Sequence, residues 1–276
     1  MGDRRDHRGV NVTALDARPS LRVRVAPRLL SAVREVMLLG SVFLLYEVGR
    51  HLVRQRAGLA FADADALLSL QRTLMLPSET GLQDMLLQSE GLTRAANIFY
   101  VSVHFPATIV FLIWMWLYRP KAYTWARSVL VSVTMVALLL HVTFPLAPPR
   151  MLPGEGFVDT MALYGPSAYG EGTQSVTNQY AAMPSLHAAW AIFIGIAIVA
   201  VLANRWRWAV LLHPLLTVAV VVATGNHYWL DVVAAGALVL LAMLVHGLRP
   251  ALAGPVSAPP QRSESSRSPS AAEATP

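Results

Sequence analysis

The 276-residue chain has no cysteine, which excludes disulfides, iron–sulfur clusters and thiolate zinc sites. Lysine is almost absent: of 22 Lys+Arg residues only Lys121 is a lysine. Charge of either sign is sparse, at 14% of residues against about 25% in an average soluble domain. Disorder over most of the chain, collagen and coiled coil are excluded by the same scarcity. Apolar residues make up 55% of the chain and the mean hydropathy is +0.47. A soluble globule would have to hide that apolar excess on a surface that needs charge. The composition therefore predicts a polytopic, all-α membrane protein. Six spans of about 20 residues each leave room for loops and tails but not for a second large domain.

The apolar runs place these spans at about Leu29–Val53, Ala95–Tyr118, Trp125–Pro145, Leu186–Ala203, Trp208–Thr224 and Trp229–Leu248. The first run is followed by Glu47, Arg50 and Arg54 rather than by a small-residue cleavage site, so it reads as an uncleaved span. Residues 57–93 carry helical apolar spacing on both sides of Pro77 and read as one or two amphipathic helices lying on the membrane face, an interfacial segment that follows helix 1 and precedes helix 2 of a six-helix bundle. Residues 1–28 are Arg-rich, and residues 249–276 are rich in Pro, Ser and Ala. Both read as disordered tails, which leaves 29–248 as the membrane domain.

The net charge of +6 does not imply nucleic acid, because the arginines cluster in the tails and at span ends. Seven arginines precede residue 29, and Arg119, Lys121, Arg205, Arg207 and Arg249 lie on the same face. The positive-inside rule puts that face, and both tails, in the cytoplasm of a plasma membrane protein. Trp114, Trp116, Trp125, Trp206, Trp208 and Trp229 stand at span ends and read as an interfacial belt. Glu79 reads as a surface helix charge.

Three polar stretches break the apolar pattern: "FPLAPPRM" after span three, "AAMPSLHAAW" opening span four, and "TGNHYWLD" joining spans five and six. Forty residues separate His187 from His227, enough for one crossing, a tight turn and a crossing back. All three stretches therefore meet on one face, the extracytoplasmic one. His227 and Asp231 stand four apart, which on a helix brings them within hydrogen-bond reach. An imidazole whose Nδ1 is held by a carboxylate has a fixed tautomer and a nucleophilic Nε2. In span two, Asn97, Tyr100 and His104 share a helix face, and an ionisable residue inside a span is a functional candidate. His187, His227 and Asp231 are also zinc-type ligands, but nothing in the chain follows an H-E-x-x-H pattern.

"PSLH" with "HYWLD" 40 residues later resembles the type 2 phosphatidic acid phosphatase superfamily. The likeness covers about residues 75–247. Within the superfamily the chain is similar to the inositol phosphorylceramide synthase (aureobasidin-resistance) branch and its bacterial members. The similarity lies in Asn97/Tyr100/His104, Arg119–Tyr123, Pro145–Arg150, Met183–His187 and Gly225–Asp231. The resemblance implies a two-step phosphoryl transfer through a phosphohistidine, without metal or other cofactor. His227 would be the nucleophile, Asp231 its orienting group and His187 the acid. Arg150 and Ser185 would bind phosphate. His104, Asn97 and Tyr100 are the candidates for headgroup contact.

The implied partners are the lipid bilayer and a phospholipid substrate. Two departures from the superfamily pattern stand out. The Ser-Arg of its third motif falls at Val220-Val221, and Lys121 and Arg127 lack the proline of its first. One phosphate-binding arginine is thus missing relative to plain phosphatases, and this favours a transferase of the inositol-phosphate type. The alternatives are a lipid phosphate or polyprenyl diphosphate phosphatase, and a non-enzymatic lipid or anion carrier. A carrier would more often show inverted repeats and broken helices, neither of which is evident in the sequence.

Overall fold

A computed structural model describes residues 21–52, 56–166, 179–248 and 250. Among these residues the chain is helical with no named strand; a single bridge pairs Leu146 with Ala181. Ten α-helices follow in order: α1 (Leu21–Leu52), α2 (Ala57–Thr73), α3 (Glu79–Leu87), α4 (Glu90–Ser102), α5 (His104–Tyr118), α6 (Pro120–Thr143), α7 (Thr160–Tyr164), α8 (Leu186–Val201), α9 (Leu212–Ala223) and α10 (Trp229–His246). A 3-10 stretch, Arg205–Leu211, runs directly into α9. Of the two expected disordered tails, residues 1–20 and 251–276 lie outside the described residues. Helix α1 starts at Leu21, inside the stretch read as tail.

Among the described residues four segments are long and apolar enough to cross a bilayer: Leu29–Gly49, Pro120–Thr143, Arg205–Ala223 and Trp229–His246. A fifth exists if α4 and α5 count as one bent crossing. Their outer faces carry large apolar side chains, such as Val110 at 65% and Val245 at 72% exposure. Water would not tolerate so much exposed apolar surface, so this is a membrane protein. Helix α8, with 16 residues, spans only about 24 Å at ~1.5 Å per residue.

The expected second span is not straight. Helices α4 and α5 meet at 42° with a break at Val103. The cause is Pro106, the third residue of α5. It has no N–H for the Ser102 carbonyl four residues back, and its ring crowds that carbonyl. The helix therefore breaks one turn before the proline, which sets His104 at the corner.

Helix α6 is the hub and packs against α1, α5, α8 and α10. Its buried side, with Val129, Val133 and Ala137, meets Phe111 and Met115 of α5, Phe193 of α8 and Val239 of α10. Trp125 belongs to this core rather than to an interfacial belt. It is buried, its ring lies 5.2 Å from Phe193, and its indole N–H donates to the Gly247 carbonyl. Gly195 lets α8 and α9 approach closely: a Cβ there would stand 3.1 Å from Pro214 Cγ.

Helix α1 packs chiefly on α6, where the Glu35 carboxylate accepts from both Arg127 and the Tyr123 hydroxyl. These groups are largely shielded, at 23% and 16% side-chain exposure for Arg127 and Glu35, so loss of one partner strands the other. Glu35→Ala is expected to lower stability in detergent by about 1–3 kcal/mol. Glu35→Gln should lose less, because its amide oxygen still accepts from Tyr123. Thermal unfolding midpoints of the two variants check this.

Candidate active site

Three segments converge at one end of the bundle: the loop after α6, the entry to α8 and the link between α9 and α10. Each is placed by local chemistry. Ser185 caps α8, its hydroxyl accepting from the Ala188 N–H at 3.2 Å, so His187 falls in the first helical turn. The Ser185 N–H donates to the Asp231 carbonyl, joining the start of α8 to α10. The link Thr224–Tyr228 turns at Gly225, whose φ of +68° suits glycine. A Cβ on Gly225 would lie 2.8 Å from the Gln83 amide nitrogen and 3.4 Å from the Arg150 backbone nitrogen. The Arg150 N–H donates to the Gly225 carbonyl at 2.8 Å. The absence of a side chain at 225 is thus what lets α3 and the loop after α6 touch this link.

His227 sits just before α10. Its Nδ1 lies 2.8 Å from the Ala182 carbonyl oxygen and 3.2 Å from Asp231 Oδ2. The Ala182 carbonyl can only accept, so Nδ1 carries the proton and Nε2 holds the lone pair. The same Asp231 oxygen accepts from the Tyr228 N–H at 2.9 Å and closes a capping box at the head of α10. Burial lowers the His227 pKa to about 4; the Ala182 carbonyl opposes that shift and the Arg150 charge adds to it. The imidazole is therefore neutral at pH 7, as a nucleophile or ligand must be.

His187 faces His227 with ring centroids 6.3 Å apart. On its other side it stacks on Tyr100 at 4.4 Å and meets His104, also at 4.4 Å. His104 in turn stacks on Trp190 at 5.4 Å. Arg150 is buried and held by Asn226 Oδ1 at 3.0 Å, Gln179 Oε1 at 3.3 Å and the Asp159 carboxylate at 3.7 Å. These groups open onto a cavity of about 640 Å³. Tyr100, His104, Arg150, His187 and His227 line it, and it continues along apolar side chains of α1 and α5. Among the described residues no group of three or more His, Cys, Asp or Glu side chains is placed to hold a metal ion.

Two residues singled out in the sequence stand elsewhere. Asn97 is fully buried and does not line the cavity. Its amide donates to the Thr160 and Gly165 carbonyls, and its Oδ1 accepts from the Thr160 hydroxyl. It pins α7 to α4. The Ser185 hydroxyl caps α8, is fully buried and does not line the cavity. Glu79, read as a surface charge, is buried: it accepts from the Gln71 amide and from the Trp229 N–H. Gln71, Gln83 and Gln179 carry no sequence signal, because a lone glutamine in a polar stretch looks like any other. Asn226 lay inside the quoted "TGNHYWLD" stretch, and its side chain is what holds the arginine.

Comparison with known proteins places this geometry. No curated protein and no solved structure matches the chain significantly. The sequence profile of the PAP2 superfamily matches residues 65–245, a range that runs from α2 to the end of α10 and holds both histidines, Asp231 and Arg150. The chain belongs to the PAP2 superfamily, the type 2 phosphatidic acid phosphatases and their relatives.

Proposed function

We propose that this protein is a membrane enzyme that transfers a phospho-headgroup of the inositol-phosphate type between lipids through a phosphohistidine on His227, without a metal. Superfamily membership supports lipid phosphatase or phosphotransferase chemistry. The observation that carries the mechanism is the His227 ring, with Nδ1 turned to two acceptors and a second imidazole 6.3 Å away across the cavity.

The steps follow from this arrangement. Neutral Nε2 of His227 attacks phosphorus, and the bond from phosphorus to the leaving alcohol oxygen breaks. His187, which takes up a proton when the negative phosphate stands beside it, gives that proton to the leaving oxygen. Asp231 stabilises the charge that develops on the His227 ring, and Arg150 with the N-terminus of α8 stabilises the phosphoryl oxygens. An acceptor alcohol then attacks phosphorus, gives its proton to His187, and His227 leaves. Water as acceptor makes the same site a phosphatase.

Transfer is favoured by the absence of an arginine at Val221. With fewer fixed charges on the phosphate, the site recovers binding energy from a larger polyol headgroup. The headgroup reading rests on His104 and Tyr100, which line the cavity, with Asn97 supporting them from behind. In this reading the bent pair α4–α5 and the short α8 join the other four crossings to make six. The α2–α3 segment lies at the outer interface, the site faces outward, and both tails are cytoplasmic in the plasma membrane.

His227→Ala is expected to abolish turnover and covalent labelling by a ³²P-labelled substrate. His187→Ala should still label slowly from an ester with a good leaving group, because only the proton donor is lost. Asp231→Asn should cost about 10²–10⁴-fold. Label in His227→Ala overturns the nucleophile, and lipid binding without label in the wild type supports a carrier.

With purified protein in mixed micelles, a phosphodiester lipid with a polyol headgroup should outcompete phosphatidic acid. His104→Ala should weaken use of that lipid more than use of p-nitrophenyl phosphate. Preference for phosphatidic acid or a polyprenyl diphosphate, with His104→Ala silent, would make the protein a phosphatase. The orientation is tested by single cysteines in this cysteine-free chain. Gly154→Cys should react with an impermeant thiol reagent in intact cells and Ala203→Cys should not; the opposite labelling reverses the topology.

A further inference from the structure

The backbone N–H groups that open α10 are satisfied from an unexpected quarter. A helix leaves its first N–H groups without intrahelical partners, and a buried helix start must find them elsewhere. At α10 the Tyr228 N–H goes to Asp231 Oδ2. The Trp229 N–H donates to Glu79 Oε1 at 3.1 Å and the Leu230 N–H to Gln71 Oε1 at 3.0 Å. The Gln71 amide nitrogen also donates to Glu79 Oε1, at 2.8 Å, which locks the two acceptors together. Glu79 and Gln71 lie 150 and 159 residues from their partners and are 5% and 4% exposed. A carboxylate at this place also complements the positive end of the α10 dipole.

The same hairpin holds the neighbouring loop. The Gln83 side chain accepts from the Val158 N–H and donates to the Val158 carbonyl, and it lies against the Gly225 turn. Thus α2 and α3 grip the link that carries His227. Neither helix supplies a group to the cavity lining.

We infer that Glu79 and Gln71 are positioning residues for the nucleophile: they fix the first turn of α10 so that Asp231 stays in register with His227. This rests on the catalytic reading above. If the grip is released, the Trp229 and Leu230 N–H groups must find water and the first turn of α10 frays. Asp231 then no longer holds Nδ1 of His227 in line with the Ala182 carbonyl. Misplacement of a catalytic group by about 1 Å can cost ~10²-fold in rate.

The test uses the full chain in detergent micelles with two readouts. Hydrogen exchange of the Trp229 and Leu230 amides should quicken at least about tenfold in Glu79→Ala and in Gln71→Ala. Glu79→Gln, whose amide oxygen still accepts from Trp229 and Gln71, should restore protection. On p-nitrophenyl phosphate, Glu79→Ala should lower kcat by about 10–100-fold with KM within about twofold. Glu79→Gln should recover most of the loss. In an Asp231→Asn background the Glu79→Ala loss should largely vanish, since both act through the same ring; independent sites would add.

Unchanged exchange in Glu79→Ala, or losses that add in the double variant, overturns the inference. Turnover retained by His227→Ala instead overturns the catalytic reading. The exchange readout does not depend on activity and still decides whether the hairpin grips α10.

Discussion

The Nδ1 proton of His227 is the constraint on which the site depends. Two oxygens compete for it, one from the Ala182 backbone and one from Asp231. Because the carbonyl can offer no proton in return, the imidazole has one tautomer, with its lone pair on Nε2, and the ring lines the cavity beside His187. Holding this single proton requires Ala182 to stand beside α10. That in turn requires the strand-like contact of Leu146 with Tyr180 and Ala182, whose backbone groups exchange hydrogen bonds across the loop. It also requires Asp231 to occupy the third helical position of α10, where its carboxylate reaches back to the Tyr228 N–H.

The polar network around this proton is built inside a protein whose exterior is apolar. Buried polar groups are costly unless paired, and the pairing here is dense. Asn97, Thr160, Gln71, Glu79, Gln83 and Asn226 each make hydrogen bonds that tie one segment to another. None of these residues is a candidate for touching the reacting phosphorus. They set the relative positions of α3, α4, α7 and the two loops that carry Arg150 and His227. Around the α6 hub, by contrast, contact is made through small and apolar side chains such as Ala126, Val129, Val133 and Ala197. Close packing without charge is how helices associate in lipid. The molecule thus divides into an apolar bundle and a polar end, with His104 at the kinked corner of α5 where the two meet.

Much of this was legible in the chain. The apolar runs marked the helices because a bilayer demands long uncharged segments; that Ser185 caps α8 emerged only from the structure. The four-residue step from His227 to Asp231 and the 40-residue return from His187 are short-range spacings that the chain displays, although His227 stands before α10 rather than on the helix face that its spacing predicts. The bend at Val103 was written in Pro106, three residues on, but it is hidden when the run is read for hydropathy alone. Asn97 shows what a helical pattern hides: it shares α4 with Tyr100, but the break at Val103 puts His104 on the next helix and the Asn97 side chain is taken up by α7.

The sequence by itself determined the membrane class, the helical segments and the three polar stretches that carry His187, His227, Asp231 and Arg150. Each of these depends on residues within a turn or two, or on the length of one crossing. Only the tertiary structure decided which buried polar groups satisfy one another. That Glu79 reaches the Trp229 N–H across 150 residues, or that Ala182 rather than water faces His227, follows from how separate helices pack. The physical reason is that a hydrogen bond is specified by distance and direction in space, and spacing along a chain fixes neither once the chain has turned back on itself.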